Sequence, residues 1–99
     1  MDRQVVIDRL QASRPQLAQL GARSLYLYGS VARGEAGPFS DVDLLVEGAD
    51  ARFSVFDLIR LRDACSEILE APVEMHDFGG FQRLANFRRE VEGDLIRVF

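Results

Sequence analysis

Gly29–Asp43 reads GSVARGEAGPFSDVD, and its flanks make it the hinge of a strand–turn–loop–strand unit. Just before it, Ser24–Tyr28 (SLYLY) is a short aromatic and aliphatic run ending at glycine, which predicts a strand buried on at least one face. At its end, Asp41–Glu47 (DVDLLVE) predicts a second strand. Alternation along that strand sends Val42, Leu44 and Val46 to one side and Asp41, Asp43 and Leu45 to the other. Between the two, Ser30–Arg33 suits one helical turn, and Gly34, Gly37 and Pro38 are loop chemistry.

Working outward toward the N-terminus, Val6, Leu10, Leu17 and Leu20 recur near helical spacing, with Asp2 as N-cap and Gly21 as stop. Pro15 should bend or divide this helix near Arg14, because proline lacks the amide donor and disfavours helical geometry in the residue before it. Toward the C-terminus, the spacing predicts a helix over Ser54–Leu69. Its apolar stripe is Val55, Leu58, Ile59, Leu61, Cys65, Ile68 and Leu69, and Ser54 with Asp57 reads as a capping box. Pro72 ends that pattern, and Val73–His76 predicts a third strand with Val73 and Met75 on one face and Glu74 and His76 on the other. Gly79–Gly80 reads as a break, Leu84, Phe87 and Val91 as a helical tail, and Leu95–Phe99 as a terminal extended piece. Helices alternating with strands in this order predict an α/β sandwich of two layers around a small sheet, for which three strands suffice.

The chain has 99 residues, 47% of them apolar and 28% charged, which is the size and composition of a single domain over residues 1–99. Its apolar runs are far shorter than the roughly 20 residues of a membrane span, and its N-terminus carries no export signal, so a cytoplasmic location is expected. All 12 basic residues are arginine and the net charge is -4, so composition offers no long-range attraction to nucleic acid or to an anionic membrane. Cys65 is the only cysteine. It excludes an internal disulfide and multi-cysteine zinc sites and reads as core.

The chemistry concentrates where a Gly-Ser pair ends one strand and D-x-D opens the next. Two carboxylates two residues apart on a strand share a face, about 6.6 Å apart along the chain. They repel by about 0.6 kcal/mol in water and about 2.5 kcal/mol at an effective dielectric of 20. Within a cleft, such a pair calls for a divalent cation. At a solvated sheet edge it serves instead to blunt strand pairing. Gly29–Ser30 carries a similar pair of readings, a turn with a capping serine or a backbone that approaches a phosphate. Glu74 is the candidate third carboxylate. His76 two residues on is either a general base or a surface residue.

Gly29-Ser30, ten intervening residues and Asp41-Val42-Asp43 resemble the nucleotidyltransferase signature of the DNA polymerase β superfamily. GSVARGEAGPFSDVDLLVE, with the elements that follow it, resembles more narrowly the minimal nucleotidyltransferase family (MNT), over essentially the whole chain. The resemblance implies a small mixed sheet flanked by helices. It implies nucleoside triphosphate at Gly29 and Ser30, and Mg²⁺ held by Asp41, Asp43 and a third carboxylate, with catalysis assigned to Asp41, Asp43 and Glu74. Arg33 and Ser40 fall inside the matching motif; Arg33 either contacts phosphate or braces the loop by pairing with Glu35 or Glu47. One departure stands out: the family usually has aspartate where this chain has Glu74, which puts activity in more doubt than nucleotide binding. Many members act as antitoxins that transfer AMP from ATP to a tyrosine of a HEPN-domain ribonuclease toxin, so a hetero-oligomer with such a toxin is the implied partnership; apolar surface on the small sheet and the C-terminal segment around Phe87, Val91 and Phe99 would supply docking contacts, with a core role as the other reading of each residue. The competing reading is a catalytically degenerate binding module that neutralises its partner by occlusion. A small-molecule acceptor fits less well, because a chain this short has no second domain to enclose one.

Overall fold

Proline divides the N-terminal apolar pattern where expected. In the computed structural model, which describes residues 1–37, 40–82 and 93–99, α1 (Arg3–Ala12) and α2 (Arg14–Gln19) meet at Ser13, with Pro15 in the first turn of α2. Asp2 caps α1 by accepting the Gln4 amide at 3.3 Å. There follow β1 (Ala22–Tyr28), α3 (Gly29–Arg33), β2 (Val42–Gly48), α4 (Val55–Leu69), β3 (Val73–Asp77), α5 (Phe78–Gln82) and β4 (Ile96–Arg97). The sheet runs in the order β3-β2-β1-β4. β1 is antiparallel to β2 and β4, while β2 is parallel to β3, with α4 as the crossover that a parallel pair requires. A small mixed sheet with helices is the class expected.

One face of the sheet is the core. Leu25 and Leu27 of β1, Val42, Leu44 and Val46 of β2 and Met75 of β3 bury against Val6, Leu10, Leu17, Leu61, Cys65 and Leu69 of the helices. Burial pushes the Cys65 thiol up to about 12, as befits a packing residue. The capping box of α4 is formed in both directions: the Ser54 amide donates to Asp57 Oδ2 at 2.8 Å and the Asp57 amide to Ser54 Oγ at 3.4 Å.

Several expectations are corrected. A fourth strand exists because the C-terminal piece pairs with β1, the Val98 amide donating to the Leu25 carbonyl at 2.8 Å. Phe99 takes the core role that was open to it beside docking: it is buried, with the Arg14 guanidinium 5.3 Å from its ring centroid. Val55 and Ile59 are 61% and 40% exposed, and Phe56 is exposed beside them. At 3.6 residues per turn, Val55 and Ile59 fall to the side of the line formed by the buried Leu61, Cys65 and Leu69 of α4. Gly79–Gly80 is no break: α5 runs through it, because Asp77 Oδ2 accepts the Gly80 amide at 3.1 Å and offsets the low helix propensity of glycine. β2 begins at Val42, so Asp41 lies just outside the strand it was expected to open. The tail pattern of Leu84, Phe87 and Val91 lies outside the described residues. No helix among the described residues is long and apolar enough to cross a membrane.

Candidate active site

The opposite face of the sheet carries the polar groups. Register sets Tyr28 opposite Asp43, Asp43 beside Glu74, and Leu45 beside His76. Buried Tyr28 and Leu45, with Tyr26, Phe78 and Leu95 packed against them, give this face an apolar floor. The Tyr26 and Phe78 rings lie 4.9 Å apart there.

Asp43 is the electrostatic centre. Burial pushes its carboxyl up to about 6, helped by the charge of Glu74, a side-chain hydrogen bond with Glu74 and the charge of Asp41, and opposed by His76. The Tyr28 phenol is raised as well, first by burial and then by Asp43 and Glu74. Glu74 in turn hydrogen-bonds His76, Nε2 to Oε1 at 3.1 Å. Across the strand edges this makes a connected row, Asp43–Glu74–His76. Parallel pairing of β2 with β3 creates it, and Asp43 is more strongly coupled to Glu74 than to Asp41, its partner in the D-x-D motif.

Gly29 is held against this row. Its φ is +75°, and a Cβ there would overlap Asp43 Oδ2 and stand 3.0 Å from Asp43 Cγ. The backbone at the start of α3 therefore reaches the Asp43 carboxylate only because residue 29 has no side chain. Ser30 does not cap α3: the N-cap is Tyr28, without a side-chain cap, which leaves the first-turn amides available to an anion. Arg3 Nη1 donates to the Ala32 carbonyl at 2.9 Å and ties α3 to α1.

The other two motif residues are engaged elsewhere. Arg33 bonds Glu35 (3.0 Å) and Asp94 (3.2 Å), the bracing alternative, with Asp94 in the place considered for Glu47. Ser40 closes its own loop, its Oγ accepting the Gly37 amide at 3.0 Å. Among the described residues no group of three or more His, Cys, Asp or Glu side chains is gathered closely enough to hold a metal ion. What is gathered is the Asp43–Glu74 pair, with Asp41 acting on it through charge. These are hard oxygen donors, and their mutual repulsion raises Asp43; both facts fit a cation such as Mg²⁺. Sequence reasoning missed Tyr28 as a neighbour of Asp43 and left His76 undecided. The signal for Tyr28 was its place directly before Gly29. A cavity of about 620 Å³ lies at the far ends of β2 and β3, lined by Glu47, Phe53, Leu58 and Phe78 among others, and none of the site residues borders it.

A nucleotidyltransferase domain family matches residues 10–97. A protein of Methanocaldococcus jannaschii that is named as a candidate protein adenylyltransferase is 32% identical over 74 residues, 75% of this chain and 78% of that protein. A solved structure of a candidate minimal nucleotidyltransferase superposes with a TM-score of 0.78 at 33% identity, covering 97% of this chain and 95% of that one. The same fold recurs in a complex of the tri-AMPylated HEPN toxin of Shewanella oneidensis with MNT antitoxin. There the TM-score is 0.61 at 17% identity, over 98% of this chain and 71% of that one.

Proposed function

The chain belongs to the nucleotidyltransferase domain family, and from that premise we propose that it acts as a single domain transferring AMP from ATP to a tyrosine of a HEPN-domain partner, with Mg²⁺ as cofactor. The observation that carries this reading is the Asp43–Glu74 pair set against the bare backbone of Gly29. It joins carboxylates to a phosphate-accessible turn. In the reaction the tyrosine oxygen bonds the α-phosphorus, the bond to pyrophosphate breaks, and the phenolic proton leaves. Gly29, Ser30 and the uncapped amides of α3 would bind phosphate oxygens. Asp43 and Glu74, with Asp41 contributing its charge, would hold Mg²⁺, which when bound supplies charge stabilisation to the phosphates and lowers the pKa of an attacking hydroxyl. Glu74 takes part with its longer side chain because the register delivers it to Asp43. Arg33 and Ser40 contribute by shaping the loop between α3 and β2.

Support for a protein acceptor comes from the M. jannaschii relative and from the antitoxin fold of the S. oneidensis complex. The net charge of -4 suits a partner with a basic surface. Intact-mass spectrometry of the protein encoded beside it, after co-expression, tests the reading. An AMP adduct is expected with the parent chain and none with Asp43→Asn. A stable complex that never gains an adduct overturns transfer in favour of neutralisation by occlusion.

A further inference from the structure

Glu74 reaches Asp43 on a side chain with one more rotatable bond than aspartate would have, and that side chain is 55% exposed, so packing restrains it weakly. Some other contact must keep its carboxylate beside Asp43. We propose that His76 is a positioning residue that holds the Glu74 carboxylate in place against Asp43. The proposal rests on the reading of Asp43 and Glu74 as the transfer site.

Three observations carry it. Glu74 and His76 lie two apart on β3 and so share a face, with Nε2 and Oε1 3.1 Å apart. The parallel register places Asp43 beside Glu74 and Leu45 beside His76, so Glu74 has Asp43 across the strand on one side and the imidazole along the strand on the other. Arg33, the cation of the motif, is engaged elsewhere, with Glu35 and Asp94. Held from both sides, the longer carboxylate sits where a shorter one would need no help.

That last point supplies the test, a double-mutant cycle on the full chain with Mn²⁺ as the probe, read by electron paramagnetic resonance, together with the KM for ATP and kcat in the transfer assay. His76→Ala is expected to weaken Mn²⁺ binding about three- to tenfold when residue 74 is glutamate, the worth of one hydrogen bond. In the Glu74→Asp background the same change should cost less than about twofold, because there is no extra rotor to restrain. His76→Gln, which keeps an amide donor, should stay close to the parent, whereas His76→Ala should lower kcat with the KM for ATP nearly unchanged. Equal losses in both backgrounds, or no loss in the parent, overturn the positioning role. If Asp43→Asn abolishes Mn²⁺ binding while His76→Ala leaves it intact, only this inference fails; if Mn²⁺ binding ignores Asp43→Asn, the site reading fails.

Discussion

Gly29 and Gly34 form a built-in comparison. Both adopt a left-handed backbone, φ +75° and +74°, but a Cβ at Gly29 would strike the Asp43 carboxylate, whereas a Cβ at Gly34 meets nothing within 4 Å. Alanine in this conformation costs about 1–2 kcal/mol, and the reduced freedom of the unfolded chain returns about 0.4–1 kcal/mol. Gly34→Ala should therefore cost about 1 kcal/mol. Gly29→Ala carries the same backbone term plus the displacement of Asp43, about 1–3 kcal/mol for an overpacked contact, or about 2–4 kcal/mol altogether. Urea denaturation of the metal-free protein measures both. A second variant isolates the overlap: in an Asp43→Ala background, where only the contact with Cβ at 3.2 Å remains, most of the excess cost of Gly29→Ala should disappear, while the cost of Gly34→Ala stays. Equal costs for the two glycine variants, within about 0.5 kcal/mol, would refute the claim that Gly29 is bare because Asp43 lies against it.

Asp43 titrates near 6 in the folded state against an ordinary value of 3.8, so the folded protein binds this proton more tightly than the unfolded chain. Its ionisation therefore subtracts stability as pH rises from about 4 through 6. The full displacement bounds that loss at about 3 kcal/mol, and partial solvent access reduces it to about 1 kcal/mol. Urea midpoints of the metal-free protein should fall across this window and flatten in Asp43→Asn, which should be the more stable variant at pH 7. Glu74→Gln should lower transfer at least tenfold while Glu74→Asp keeps it, read by adduct formation on the partner. Ser54→Ala, far from these groups, should cost about 1 kcal/mol through the lost cap and leave nucleotide binding unchanged in calorimetry.

What was legible in the sequence was local. The split at Pro15, the capping box of Ser54 and Asp57 and the facing of Val73 and Met75 each depend on residues within a few positions of one another. What was not legible depends on distant chain. β4 exists only because β1 offers a free edge to residues some seventy positions later, and no periodicity encodes that. Val55 and Ile59 were counted in the apolar stripe yet stay exposed, because at 3.6 residues per turn they fall about 80° and about 120° from the line through Leu61, Cys65 and Leu69. The helix through Gly79 and Gly80 runs against propensity and is rescued by one carboxylate, Asp77.

The site divides along the same line. Motif spacing singled out Gly29, Ser30, Asp41 and Asp43 as candidates, and strand alternation put Glu74 on a face of its own strand, but whether the two faces coincide is a matter of register between strands some thirty residues apart. That register couples Asp43 to Glu74 more strongly than to Asp41, although Asp41 is the nearer in sequence. Asp41 precedes the first residue of β2, whereas Glu74 is the register partner of Asp43 on a strand about 4.8 Å away, so here the lateral neighbour is the stronger one. The same geometry brings Tyr28 to Asp43 from the other side and places Gly29 directly after it. Strand pairing thus assembles, from β1, β2 and β3, a polar row that no single segment of the sequence contains, and the bare Gly29 is what lets the backbone turn at its edge.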